Sequence, residues 1–298
     1  MSYTNKTLEQ LNVMDDFLMN AVTANPDVGE HFCRTVLSVL LQRKIEKIRI
    51  VSQRAIPAMI PGLRGIRMDV EIEEFGEETD VPVNVYDLEP HLQKGIHLPR
   101  HNRFYQAKID GRSMKSGETD FSKLPNLYVL TITNYDPFGY DYMMYRIRNR
   151  CEEVPELRYD DGLEFIYFYT GGQKGGNESI KAMLNYLENS VEENAVDDAT
   201  KEVHRFVGQV KVLPEVRMEY MTFEDYIYYE RLEAAEDATR ETHVNCIIDF
   251  LSEYGDVPEA LKEQLSETND INKLKAWLKL AAKVNGIEDF MSKMETIL

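Results

Sequence analysis

The chain has no apolar run near the length of a bilayer span. The longest, Val36 to Leu41, is six residues and includes a serine, whereas a spanning helix needs about 20. A membrane partner is therefore not expected. The opening Met-Ser-Tyr-Thr-Asn-Lys is polar and leads into acids, so a signal peptide is not expected either. Cysteine is scarce: Cys33, Cys151 and Cys246 are odd in number and far apart. That excludes a disulfide framework and a cysteine metal cluster, and a reducing cytoplasm is the expected location. An excess of basic charge is also missing, with 34 Lys+Arg against 52 Asp+Glu and a formal net charge of -18. The deficit is uneven. Residues 1–150 hold 19 basic and 20 acidic side chains, which leaves 15 and 32 for residues 151–298. A surface that grips phosphate therefore belongs to the first half. There are no internal repeats and no low-complexity stretch.

What is present suffices for a packed core. The hydrophobic fraction is 43% and the aromatic fraction 10% of 298 residues, enough for one large domain or two ordinary ones. Apolar spacing predicts helices over 15–24 and 28–42, broken by Asn25-Pro26-Asp27, and the second carries Phe32, Val36, Val39 and Leu40 on one face. Residues 45–51, 65–73 and 81–89 read as strands, and 102–114 as a helix. The unbroken apolar run 127–133 is the pattern of a buried central strand, and 141–147 and 163–169 add two more β-type runs. The glycines of residues 171–176 have no Gly-Lys-Ser/Thr ending and read as a plain loop rather than a phosphate loop. From residue 178 every segment reads as helix: 178–189, 197–213, 223–235, 239–254, 258–265, 271–285 and 288–297. A boundary near 238 divides 1–238 from a small helical domain at 239–298.

The chemistry concentrates between Gly65 and His91. Asp69 sits on one strand-like run. Asp87, Glu89 and His91 alternate along the next, so they share a face if the strand continues to its end. The acidic, turn-rich Glu74 to Asp80 between the runs makes a hairpin, which brings Asp69 towards Glu89. Two convergent carboxylates suit a hard, oxygen-seeking cation such as Mg²⁺; acids facing solvent on an open sheet face are the other reading. Just downstream, Lys94, Arg100, Arg103, Lys108, Arg112 and Lys115 cluster with His91, His97 and His101, opposed only by Asp110. This is either a phosphate surface or a solvated helix face.

The order of motifs resembles a known family. Leu11-Asn-Val-Met-Asp15-Asp16-Phe17, Gly65-Ile-Arg-Met-Asp69-Val, Val85-Tyr-Asp-Leu-Glu89, Leu98-Pro-Arg-His-Asn-Arg103-Phe-Tyr105-Gln106, Leu127-Tyr-Val-Leu-Thr-Ile-Thr, Tyr135-Asp-Pro-Phe-Gly139 and Phe168-Tyr-Thr-Gly-Gly172 follow one another at familiar spacings. Together, over roughly residues 10–235, they resemble the Rpn family of recombination-promoting nucleases and transposases, within the PD-(D/E)XK superfamily. The resemblance implies an α/β, restriction-endonuclease-like core, a mixed central sheet flanked by helices, with an all-helical C-terminal region added. It implies Mg²⁺-dependent cleavage of DNA, with Mn²⁺ as a substitute metal. Asp69 and Glu89 match the metal-binding acids, and the Pro90 backbone carbonyl matches the one that faces the metal. His91 stands where the family carries Lys or Gln, and with Asp69 and Glu89 it completes the catalytic set. Arg100, Arg103, Tyr105 and Gln106 fall in the segment assigned to nucleic-acid binding. Asp15 and Asp16 match an acidic pair without an assigned role, for which helix capping is the simple account.

The departures are the Glu89-Pro90-His91 element and the compact C-terminal helices. A strand that ends at Pro90 turns His91 to solvent; one that continues keeps it beside Glu89. Two function classes follow. One is a metal-dependent DNA nuclease of low sequence specificity. The other is a catalytically impaired nuclease fold serving protein interaction or phage defence. The acidic C-terminal helices are expected to bind a protein partner or a second copy of the chain.

Overall fold

A computed structural model describes residues 6–52, 55–56, 66–76, 81–94, 97–114 and 117–296. The chain divides into two compact units, Met1–Met218 and Glu219–Leu298. In the first, α1 (Asp16–Ala24) and α2 (Gly29–Leu41) precede β1 (Lys47–Ser52). The two-residue strands β2 (Ala55–Ile56) and β3 (Ile66–Arg67) pair with each other, and β4 (Val70–Phe75) and β5 (Pro82–His91) form an antiparallel pair. Next come α3 (Leu98–Ser113), β6 (Asn126–Thr133), β7 (Met144–Ile147), β8 (Leu163–Tyr169), α4 (Glu178–Glu188) and α5 (Asp198–Lys211). The fold is α/β: a six-stranded mixed sheet of order β1-β4-β5-β6-β8-β7 flanked by helices. The first three strands run antiparallel, and β6 joins β5 in parallel after the α3 crossover.

The two sheet faces are built differently. Val70, Ile72, Tyr86, Leu88, Leu130, Ile132, Ile166 and Phe168 are fully buried on one. α1 and α2 pack on β1, while α4 and α5 pack on α2. The other face meets α3 through Val85, Leu127, Val129, Tyr105 and Ile109. Helix α3 begins at Leu98-Pro99, where a missing N–H costs nothing because first-turn donors have no partner inside the helix. The glycine-rich loop is an ordinary connection into α4, whose first turn Asn177 caps by accepting from Ile180 N–H at 3.0 Å. A Cβ on Gly172 would meet the Met143 backbone nitrogen at 2.6 Å, so its glycine serves close packing.

Several boundaries differ from the sequence expectation. The strand expected over 65–73 is two short ones, β3 and β4, with Asp69 in the bend between them; Gly65 lies outside the described residues. Part of the acidic turn, residues 77–80, and Lys115 also lie outside them. Strand β5 runs two residues past Glu89. The helices expected over 223–235 and 239–254 are one, α6 (Pro214–Ser252), because no residue between them breaks the backbone ladder. That helix continues across the division at 218/219, which falls earlier than the boundary expected near 238.

In the second unit, α7 (Glu259–Glu267), α8 (Ile271–Ala281) and α9 (Ile287–Met294) enclose Leu251, Leu261, Leu265, Leu274, Trp277 and Phe290 with the end of α6. Trp277 donates its indole N–H to the Met294 carbonyl at 3.1 Å. Among the described residues no helix is long and apolar enough to cross a membrane, and the three cysteines are free thiols.

Candidate metal centre

The centre forms where β4 starts and β5 ends. In the β4–β5 register Val70 faces Leu88, which sets Asp69 level with Glu89. Asp87, Glu89 and His91 share the α3-facing side of β5, as the alternation required. Strand β5 includes Pro90 and His91, in register with Ile132 and Thr133 of β6. Pairing with β4 has ended by then, at Leu88, so a residue without an N–H fits there. His91 is accordingly kept beside Glu89, with Nε2 3.5 Å from Oε2, and its side chain is only 14% exposed. The alternative in which Pro90 ends the strand and His91 turns to solvent does not occur.

The sheet carries many buried acids, and most are neutralised. Glu71 pairs with Arg112, Glu73 with Arg49, and Glu164 with Arg148 at 2.8 Å. Glu74 binds Arg43 at 2.9 Å and also accepts from Asn84 and Tyr86. Asp87 and Glu89 differ. Asp87 is 0% and Glu89 5% exposed. Among the described residues neither Asp87 oxygen nor Glu89 Oε1 has a hydrogen-bond partner. Burial pushes the Glu89 carboxyl up to about 9, and the negative charges of Asp69 and Asp16 add to the effect. Burial also raises Asp87 well above the carboxylate range; Glu89, Asp69 and Glu71 act with it and Arg112 against it. His91 is pulled below its ordinary value by burial, with Asp69 and Asp16 acting the other way. An isolated buried carboxylate costs several kcal/mol, so such a group holds a proton or a cation.

Two neighbours that the sequence marked without a metal-site role also reach this point. His101, in the first turn of α3, lies against Tyr105 with the rings tilted by 31° and their centres 4.2 Å apart, and meets His91 edge to face at 4.9 Å. Glu89, His91 and His101 each offer a donor atom, and all three atoms lie within 4.8 Å of one another. Asp16 opens α1 and acts electrostatically on both Glu89 and His91. The acidic pair thus splits. Asp15 occupies the N-cap position without capping; its carboxylate instead takes Lys6 at 2.8 Å and Asn12 N–H at 2.7 Å. The signal for Asp16 was the pair itself in the N-terminal motif. His101 had only its place in a basic segment.

No family model, curated protein or solved structure matches the chain. The residues themselves fit a divalent cation: two buried carboxyl groups, with three oxygens that have no hydrogen-bond partner among the described residues, flanked by two further acids and two imidazoles. The residues assigned to nucleic acid fare unequally. Arg100 and Arg103 are exposed on α3. Tyr105 is buried with Val85 and Ile109, whereas Gln106 is half-buried and donates to Asp110 one turn along the same helix. A cavity of about 540 Å³ lies at the opposite ends of β6 and β8, by Tyr128, Arg148 and Glu164, but its buried acid is already paired.

Proposed function

We propose that the chain is a divalent-metal-dependent nuclease that hydrolyses DNA phosphodiester bonds with low sequence specificity, in a recombination or mobile-element setting, as in the Rpn family it resembles. The observation that carries the reading is the contrast within one sheet: Glu71, Glu73, Glu74 and Glu164 each have an arginine, whereas Asp87 and Glu89 have none bonded to them among the described residues. The order of a helical layer, three antiparallel strands, a crossover helix and a parallel strand is consistent with the restriction-endonuclease-like core that the resemblance implies, which supports the same reading.

Asp69 and Glu89 would hold the metal, with the Pro90 carbonyl between Glu89 and His91 on the same strand. When bound, Mg²⁺ or Mn²⁺ supplies charge neutralisation at the phosphate and a lowered pKa for water. Burial favours the neutral form of His91, whose Nε2 lies 3.5 Å from Glu89 Oε2. Arg100 and Arg103 would take flanking phosphates, which gives affinity without sequence information.

A second reading rests on the acid-rich C-terminal half and on Glu-Pro-His in place of Glu-x-Lys or Glu-x-Gln. It makes the chain a catalytically impaired nuclease fold that binds a protein partner. Nicking of supercoiled plasmid with Mg²⁺ or Mn²⁺ separates the two. Wild type should nick, and Asp69→Asn should not while melting normally. Full activity in Asp69→Asn would overturn the metal assignment, and an inert wild type would favour the second reading.

A further inference from the structure

We propose that His91 and His101 join Glu89 as ligands of a single first-row transition ion, so that this centre selects Zn²⁺, Co²⁺ or Mn²⁺ over Mg²⁺. The inference rests on the metal-centre reading above and goes past it in naming the ligands and the class of metal. Three observations carry it. First, the donors converge from two elements: Glu89 and His91 from one face of β5, and His101 from α3 above it. Their donor atoms lie within 4.8 Å of one another. Ligands held at about 2.1 Å from one ion lie roughly 3–4 Å apart, so a side-chain adjustment of about an ångström closes the set. Second, Glu89 is buried and its Oε1 has no hydrogen-bond partner among the described residues, so a residue of the cluster keeps a carboxyl oxygen open to a ligand.

Third, one ring nitrogen of His101 is held by its neighbour on α3. Its Nδ1 lies 3.2 Å from Asn102 Oδ1. An amide oxygen only accepts, so Nδ1 carries the proton and Nε2 keeps the lone pair. Asn102 is itself buried and donates to Thr131 Oγ1 at 2.8 Å. Such a backing hydrogen bond is the usual support of a metal-bound histidine. Imidazole nitrogen suits transition ions, while Mg²⁺ takes oxygen ligands and keeps its waters.

The test is binding of Co²⁺ to the full-length protein, read by its visible absorption and by calorimetry, with Mg²⁺ as competitor. Wild type should bind one Co²⁺ with visible bands that millimolar Mg²⁺ does not remove. His101→Ala and His91→Gln should each weaken Co²⁺ by about tenfold or more. His101→Gln serves as a second variant, and melting of each metal-free protein shows that it folds. Wild-type Co²⁺ affinity in folded His101 variants, or displacement of Co²⁺ by an equal concentration of Mg²⁺, would overturn the proposal. Its failure is distinguishable from that of the nuclease reading. A chain that binds Co²⁺ through both histidines yet cuts no nucleic acid sinks the nuclease and keeps this centre. Mg²⁺-driven cleavage with histidine-independent Co²⁺ binding does the reverse.

Discussion

Replacing Glu89 by Gln should stabilise the metal-free protein, and increasingly so as pH rises. Burial and the charges of Asp69 and Asp16 push Glu89 from an ordinary 4.5 to about 9 in the folded chain. A carboxyl raised on folding keeps its full contribution below pH 4.5 and loses stability as pH rises towards 9, because the unfolded chain gives up its proton first. The loss is about 1.4 kcal/mol per pH unit in that window, or about 3 kcal/mol at pH 7. Against a typical domain stability of about 5–15 kcal/mol this is a large fraction. Gln has the shape of the protonated acid and no titration, so the two proteins should match near pH 4.5 and diverge above it. Urea unfolding from pH 4.5 to 9 without metal measures the difference. Adding Co²⁺ or Mn²⁺ should close the gap, because metal binds the ionised carboxylate of wild type only. Parallel stability curves for the two proteins across that range would refute the reasoning and place Glu89 in water.

Metal binding at pH 7 should release close to one proton, since Glu89 is protonated there until the ion arrives; calorimetry in two buffers of different ionisation enthalpy counts it. Charge reversal at Arg100 and Arg103 should weaken DNA binding and flatten the slope of log K against log salt by roughly one unit for each phosphate left without its arginine, while Co²⁺ affinity stays unchanged. Removal of residues 239–298 takes away Val244, Ile247, Leu251 and the rest of the second unit's core; light scattering should then show a smaller assembly, or a pull-down the loss of a protein partner. Unchanged stoichiometry and unchanged partners would remove the interaction role from those helices.

Most of the elements were legible in the sequence because their apolar spacing is local. The run 163–169 is β8 without change, the unbroken 127–133 lies inside β6 at the centre of the sheet, and the breaks at Pro26 and in the glycine loop fall where expected. Alternation along 85–91 also placed Asp87, Glu89 and His91 on one face, since a strand has a period of two. Where a helix stops was less legible. Residues 236–239 look like a break but lie within α6, because none of them opposes a helix.

The site was only half written in the sequence. Local pattern marked Asp69, Glu89 and the question of Pro90, but whether a strand survives a proline depends on which neighbour needs its N–H. That was decided by β4 pairing ending at Leu88 while β6 continues alongside to Thr133. Nor does any spacing say that Asp16 and His101 reach the same point. They arrive from α1 and α3, and only the packing of those helices brings them to the end of β5. The protonation of the centre is likewise tertiary. An acid's charge depends on whether water or an arginine reaches it, and the fold supplies a bonded arginine to Glu71, Glu73, Glu74 and Glu164 while burying Asp87 and Glu89 with none bonded to them among the described residues.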